Sequence, residues 1–292
     1  MTARRTLAAR SLFALLGSMC ACAGTACDAV AQSTRAVRGG WAVSATAAIK
    51  LHVSSGSVEI VGWSRDSVHL EGDMADGESL FALGTLDGIK LGAEGRTVRG
   101  ESRLRVRVPN RAVLTIRSGA ASVAVRDIRG TLDIGAAAGT VEVRGSPTVC
   151  VVESLAGAVS VDGQIDAVRV RTSGGRISVR GRVREAQLAS VSGAVSVQAA
   201  ALPALRVNTV SGVVSIVTST VPRAPVHIET FSGNVMVERP PSNVAMLLRS
   251  DAGVVTVDGR RITTETERRG ATANGFTVQS FRGAITVRAS AP

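Results

Sequence analysis

The residues best equipped for chemistry in the body of this 292-residue chain are His52, His69, His227 and Cys150. An imidazole can ligate a metal or act as a base, and a thiolate can attack, provided partners stand at matching spacing. Here they do not. Each histidine sits beside apolar positions of an alternating stretch and is expected to face outward, with no Cys or carboxylate spaced to complete a metal site. Cys150 falls on the apolar phase and reads as a small buried hydrophobe. Serine is too common for a Ser-His-Asp set to be chosen by type, and the acids Asp133, Glu142, Glu153, Asp162 and Asp166 are scattered. No phosphate loop, HExxH, EF-hand loop or calcium nonapeptide occurs, so no cofactor or metal is implied.

The elements that must carry these residues are set by a repeat. A glycine followed by an apolar–polar–apolar triplet recurs at Gly56, Gly119, Gly139, Gly157, Gly175, Gly193, Gly212, Gly233, Gly253 and Gly283, ten copies in all. From Gly119 the steps are 20, 18, 18, 18, 19, 21, 20 and 30 residues. Five residues before these glycines stand Leu51, Leu114, Ile134, Val152, Val170, Leu188, Val207, Ile228, Leu248 and Val278. Seven before stand Ile49, Ala112, Leu132, Cys150, Val168, Ala186, Leu205, Val226, Met246 and Phe276, so every one of these twenty positions is apolar. A second glycine follows six residues later at Gly62, Gly145, Gly163, Gly181 and Gly259.

Period-two alternation between glycines means short strands with one buried face, and such strands bury it by stacking coil on coil. The predicted fold is all-β: a single β-solenoid of about 18–21-residue coils over 32–292. Eight or nine coils at a rise of roughly 4.8 Å give a rod about 40 Å long. Residues 32–118 hold the first coils and a less regular cap, because Ser67–Leu70, Ile89–Leu91 and Arg103–Val108 lack the glycine motif. Regular coils fill 119–292, with an insertion at 260–275.

Gly56-Ser-Val-Glu-Ile-Val-Gly-Trp-Ser-Arg-Asp-Ser-Val68 resembles the opening signature of the DUF4097 family, bacterial β-strand-repeat proteins with an adhesin name. Val106-Arg-Val-Pro109, then Ala112, Leu114, Ile116 and Ser118, is similar to that family's middle signature. The Ser-Gly-x-Val-x-Val repeats resemble its body, and the match spans about residues 40–290. The resemblance implies a secreted or envelope-anchored solenoid and brings no catalytic residues to transfer.

Residues 1–31 read as a secretory signal: Arg4, Arg5 and Arg10, an apolar run from Leu12, and a small-x-small site ending at Ala31. Lipidation at Cys27 or Cys22 is the alternative. Removing this segment takes three Arg and one Asp from a net charge of +11, leaving 31 basic minus 22 acidic residues, or +9. The expected location is periplasmic, cell-surface or secreted, which makes nucleic acid an unsuitable partner. Basic charge favours an anionic polysaccharide or phospholipid, and an aromatic content of 2% counts against a stacking platform for sugars or bases.

Two outward rows are candidate interaction surfaces. Arg169, Arg171, Arg206 and Arg249 precede the turn; three residues after the glycine run Ser122, Glu142, Ser160, Ser178, Ser196, Ser215, Met236, Thr256 and Thr286. The candidate interaction residues are Arg169, Arg171, Arg206, Arg249, Ser160, Ser178, Ser196 and Ser215. A third row of hydroxyls, three before the glycine, is expected to satisfy backbone groups at the turn. The functional expectation is a non-catalytic, adhesin-like envelope module; the alternatives are a polysaccharide-acting β-helix enzyme and an envelope-stress sensor for lipid or peptide ligands.

Overall fold

The computed structural model describes residues 34–95, 99–201, 204–241, 244–262 and 275–290. The signal segment, Cys20, Cys22 and Cys27, and most of the 260–275 insertion lie outside them. The described residues form one all-β solenoid. Each coil contributes a leading strand, a turn at the glycine station and a trailing strand, and like strands pair in parallel with those of the next coil. Two walls result, and the inward side chains of both fill a single core. All twenty apolar positions of the repeat are buried.

Pairing sets the stacking order. The first four coils are Gly88–Glu94 with Arg103–Pro109, Ala48–Val53 with Ser57–Trp63, Val113–Ser118 with Ser122–Arg126, and Thr131–Ala136 with Val141–Gly145. Coils five to seven share two long strands, Val159–Thr172 and Ile177–Ser190, which bend from the trailing wall into the next leading wall. Val149–Ser154 opens coil five and Val195–Ala199 closes coil seven. Coil eight is Ala204–Thr209 with Val214–Thr218, and coil nine is Val226–Thr230 with Val235–Arg239. Coil ten is Gly275–Ser280 with Ile285–Ala289, and coil eleven is Ala245–Ser250 with Val255–Val257. Eleven coils at roughly 4.8 Å make a rod of about 48 Å, longer than the repeat count implied.

Chain order and stack order differ at both ends. The Ala48–Trp63 coil lies between coil one and coil three. The last coil in sequence lies between coils nine and eleven. The 30-residue step before Gly283 is therefore a return to an inner position rather than a lengthened coil. Each terminal coil is hydrogen-bonded on both sides, which protects segments that would otherwise fray. The N-terminal irregular strands are edging: Ser67–Ala75 pairs antiparallel to coil one and to Thr34–Ala42, and Ser79–Thr85 pairs antiparallel to coil one on the other wall. Ile89–Leu91 and Arg103–Val108 belong to coil one itself, where Ser102 stands at the glycine station and donates a hydrogen bond to buried Glu78.

Both kinds of glycine admit close approach of the neighbouring coil, and the second kind adds an unusual torsion. A Cβ on Gly193 would lie 1.9 Å from the carbonyl oxygen of Gly175 in the coil below, and those on Gly157, Gly175 and Gly212 would lie 1.9–2.1 Å from theirs. The station therefore needs close backbone approach, not unusual torsion. The second glycines need both: Gly163 and Gly181 take φ of 149° and 98° where the trailing strand bends, and a Cβ there would lie 1.8 and 2.3 Å from a carbonyl oxygen of the coil below. Gly119 does not occupy the station. Leu114 pairs with Leu132, so Ala121 stands opposite Gly139 and the first regular step is 18 residues, not 20. The alternation hid this shift because a two-residue slip keeps the same face inward.

Candidate functional site

The buried hydroxyl row that precedes the station fixes the turn. Thr172, Thr209, Thr230, Ser250 and Ser280 accept hydrogen bonds from the N–H of Gly175, Gly212, Gly233, Gly253 and Gly283 at 2.8–3.0 Å. Ser154 and Ser118 instead donate to the carbonyls of Gly157 and Ala121. With the turn held, the residue before each hydroxyl and the residue after it both project outward, and their side chains form the two sides of a trough.

This trough has a volume of about 1390 Å³ and runs along the rod from His52 to Asp251. One side is polar: His52, Arg117, Glu153, Arg171, Asn208, Glu229, Gln279 and Arg249. The other is apolar over coils five to ten: Leu155, Ser173, Val191, Val210, Phe231 and Phe281, each bonded by its N–H to the coil below. Phe231 and Phe281 stack on each other, centroids 5.1 Å apart and 15° from parallel. Arg282 lies 5.7 and 5.6 Å from the two ring centroids. Rings stacked along the rod turn their edges outward, so they add apolar contact without presenting a face to a sugar.

The polar side is mixed in sign. Arg117 makes a two-point contact with Asp133 (2.9 and 3.1 Å), and that hydrogen bond holds its guanidinium more firmly protonated. Arg171 approaches Glu153 at 4.0 Å, and Arg249 bonds Asp251 at 2.9 Å. These are exposed pairs of small individual energy.

The candidate residues from sequence are divided by the fold. Arg169, Arg171, Arg206 and Arg249 lie on the leading wall and are exposed. Arg171 and Arg249 line the trough; Arg169 and Arg206 lie two coils apart on the neighbouring outward row, with Gln187, which accepts from Arg169, between them. Ser160, Ser178, Ser196 and Ser215 form an unbroken ladder, but on the trailing wall and half-buried. They therefore share no surface with the arginines, because the turn at the station separates the two strands of every coil. Ser122 leaves this ladder, since Ala124 is the partner of Glu142. The apolar side of the trough was missed from sequence. Its signal is legible two residues before each glycine, as Leu155, Val191, Val210, Phe231 and Phe281, but turn positions are read as polar by default.

Cys150 is fully buried, and burial pushes its thiol up to about 12, as expected of an inert core residue. Among the described residues no group of three or more His, Cys, Asp or Glu is placed to hold a metal, and no helix is long and apolar enough to cross a membrane.

No family model and no curated protein matches the chain. Solved structures do. A "putative lipid binding protein" from Parabacteroides distasonis aligns over 89% of this chain and 98% of that one, with a TM-score of 0.55 and 11% identity. A "putative adhesin" from Bacteroides fragilis aligns over 89% and 99%, with a TM-score of 0.45 and 12% identity. At such identity the likeness concerns the fold alone, which the first alignment extends over nearly the whole of the Parabacteroides protein.

Proposed function

We propose that the chain is an exported, non-catalytic β-solenoid of the cell envelope, an adhesin-like module of the DUF4097 type that works by presenting surface. The observation that carries this reading is the shape of the trough. It is an open channel crossing one edge of ten successive coils, with a charged side and an apolar side, suited to an extended contact. A closed pocket with converging acids would have favoured the enzyme instead. The Parabacteroides protein with a lipid-binding name makes an anionic phospholipid the first ligand to try, with an acidic polysaccharide second.

The test is binding of the full chain to anionic vesicles, neutral vesicles and immobilised acidic polysaccharide across a salt series, with the ligand recovered and analysed. Saturable binding with the ligand unchanged is the expected result. Replacing Arg171 and Arg249, which line the trough, by Ala should weaken it, and salt should weaken it in parallel. Cleaved glycan or hydrolysed lipid would replace this reading with the enzyme.

A further inference from the structure

The trough has two properties that a single ligand class does not meet together. Its apolar row is exposed over coils five to ten, with Leu155, Val191, Val210, Phe231 and Phe281 each between 43% and 63% accessible. Its charged row alternates: Glu153, Arg171, Glu229 and Arg249 occur in that order along the stack. A polyanion laid along it would meet Glu153 and Glu229, and an acyl chain would leave the charged side unmatched. A surface carrying the same pattern reversed would satisfy both rows. The chain itself supplies that surface.

We infer that the trough is a self-association surface, on which a second copy packs antiparallel about a two-fold axis between coils seven and eight. The apolar row alone sets this axis, because coils seven and eight are the middle of the span from Leu155 to Phe281, which is interrupted only by Ser173 in coil six, opposite Phe231. Coil seven of one copy then faces coil eight of the other, six faces nine, and five faces ten. Val191 meets Val210, and Leu155 meets Phe281, each twice by symmetry. The charges were not used to place the axis, yet they match across it: Arg171 in coil six faces Glu229 in coil nine, also twice. Arg282, whose guanidinium lies over the two Phe rings, comes opposite Glu153.

Sliding the second copy one coil one way sets Glu153 against Glu229, two carboxylates facing each other, which penalises that register. Sliding it the other way brings Glu153 to Arg249 but sets Leu155 against Asp251, so there the apolar row, and not the charges, favours the register described. Edge-on Phe side chains at both ends of the contact supply the aromatic anchors that such surfaces favour.

This inference rests on the reading of the trough as a contact surface and names a second copy as its occupant, so self-association and vesicle binding are read separately. Sedimentation velocity of the full chain over a concentration series is the experiment, with circular dichroism to show that each variant keeps its fold. The wild type should sediment as a reversible dimer at high concentration. Val210→Asp, at an exposed position beside the axis, should leave a monomer. Arg171→Glu and Glu229→Arg should each weaken the dimer about a hundred-fold by placing like charges together twice. The double variant, Arg171→Glu with Glu229→Arg, should restore it. A monomeric wild type at every concentration overturns the inference, as does a dimer indifferent to Val210→Asp. A double variant no tighter than either single one also overturns it. So does binding of anionic vesicles by a wild type that stays monomeric, when that binding is lost in Val210→Asp; the occupant is then a lipid surface.

Discussion

Replacing Gly193 by Ala tests why the repeat has a glycine at all. An added Cβ would sit 1.9 Å from the Gly175 carbonyl oxygen, where an ordinary contact is about 3.4 Å. Coils six and seven must part locally by roughly 1.5 Å to accept it. Hydrogen bonds that join them at this turn include Ser192 N to Ser173 O at 2.9 Å, Val191 N to Thr172 O at 3.2 Å and Ile177 N to Ala194 O at 2.8 Å. Adding that separation takes all three beyond bonding distance. At about 1 kcal/mol net each, the loss is about 3 kcal/mol. For a domain of this size that corresponds to a fall in Tm of about 6–12 °C. Gly174→Ala is the control, because its Cβ would meet only the Ser192 hydroxyl at 3.8 Å and should change stability by less than about 0.5 kcal/mol. Chemical and thermal unfolding followed by circular dichroism reads both. If the two variants unfold alike, close approach is not the reason for the glycine.

Three further outcomes are expected. Val179→Asp places an unpaired charge in the core at a position 2% exposed, and should lower stability by several kcal/mol in urea unfolding. Asp258 accepts hydrogen bonds from Arg239 of coil nine at 2.6 Å and from the Ala289 N–H of coil ten at 2.8 Å, so it clasps the inserted last coil. Asp258→Ala should raise amide exchange across 275–290 while leaving coils four to seven protected; uniform exchange would show that the clasp is not local. The Cys150 thiol, ordinarily ionising near 9, is pushed up to about 12 by burial, so the unfolded chain releases its proton first. Its contribution is complete below pH 9 and declines as pH rises from 9 towards 12, by about 1.4 kcal/mol per unit. Mass-mapped alkylation should leave Cys150 unmodified in native protein at pH 8 and modify it after unfolding.

Much of the fold is legible in the residues because alternation reports directly which side chains face inward. That is why the solenoid, the two-strand coil and the buried ladders follow from the spacing of valines and glycines. Register within a wall is less legible, as Gly119 and Ala121 show: a slip of two residues buries the same face. Stack order is not legible, since Gly283 and Gly253 carry the same motif and only pairing tells which lies next to Gly233. Coil one was hidden because Ser102 stands where the other coils have glycine or, once, alanine. For the surface, each outward row could be followed along the sequence, but how the rows share walls could not. The serine ladder and the arginines are each legible as an outward row, but that they lie on separate walls is not, nor is the apolar row of turn residues beside Arg171.

The central claim is that this rod acts by contact along its surface and performs no chemistry. It is tested most directly by incubating the full chain with anionic phospholipid vesicles and with acidic polysaccharide, then measuring bound protein and ligand integrity in the same sample. The account expects saturable, salt-sensitive binding and a ligand recovered intact. New reducing or unsaturated glycan ends, or hydrolysed lipid, formed in proportion to protein and time would contradict it.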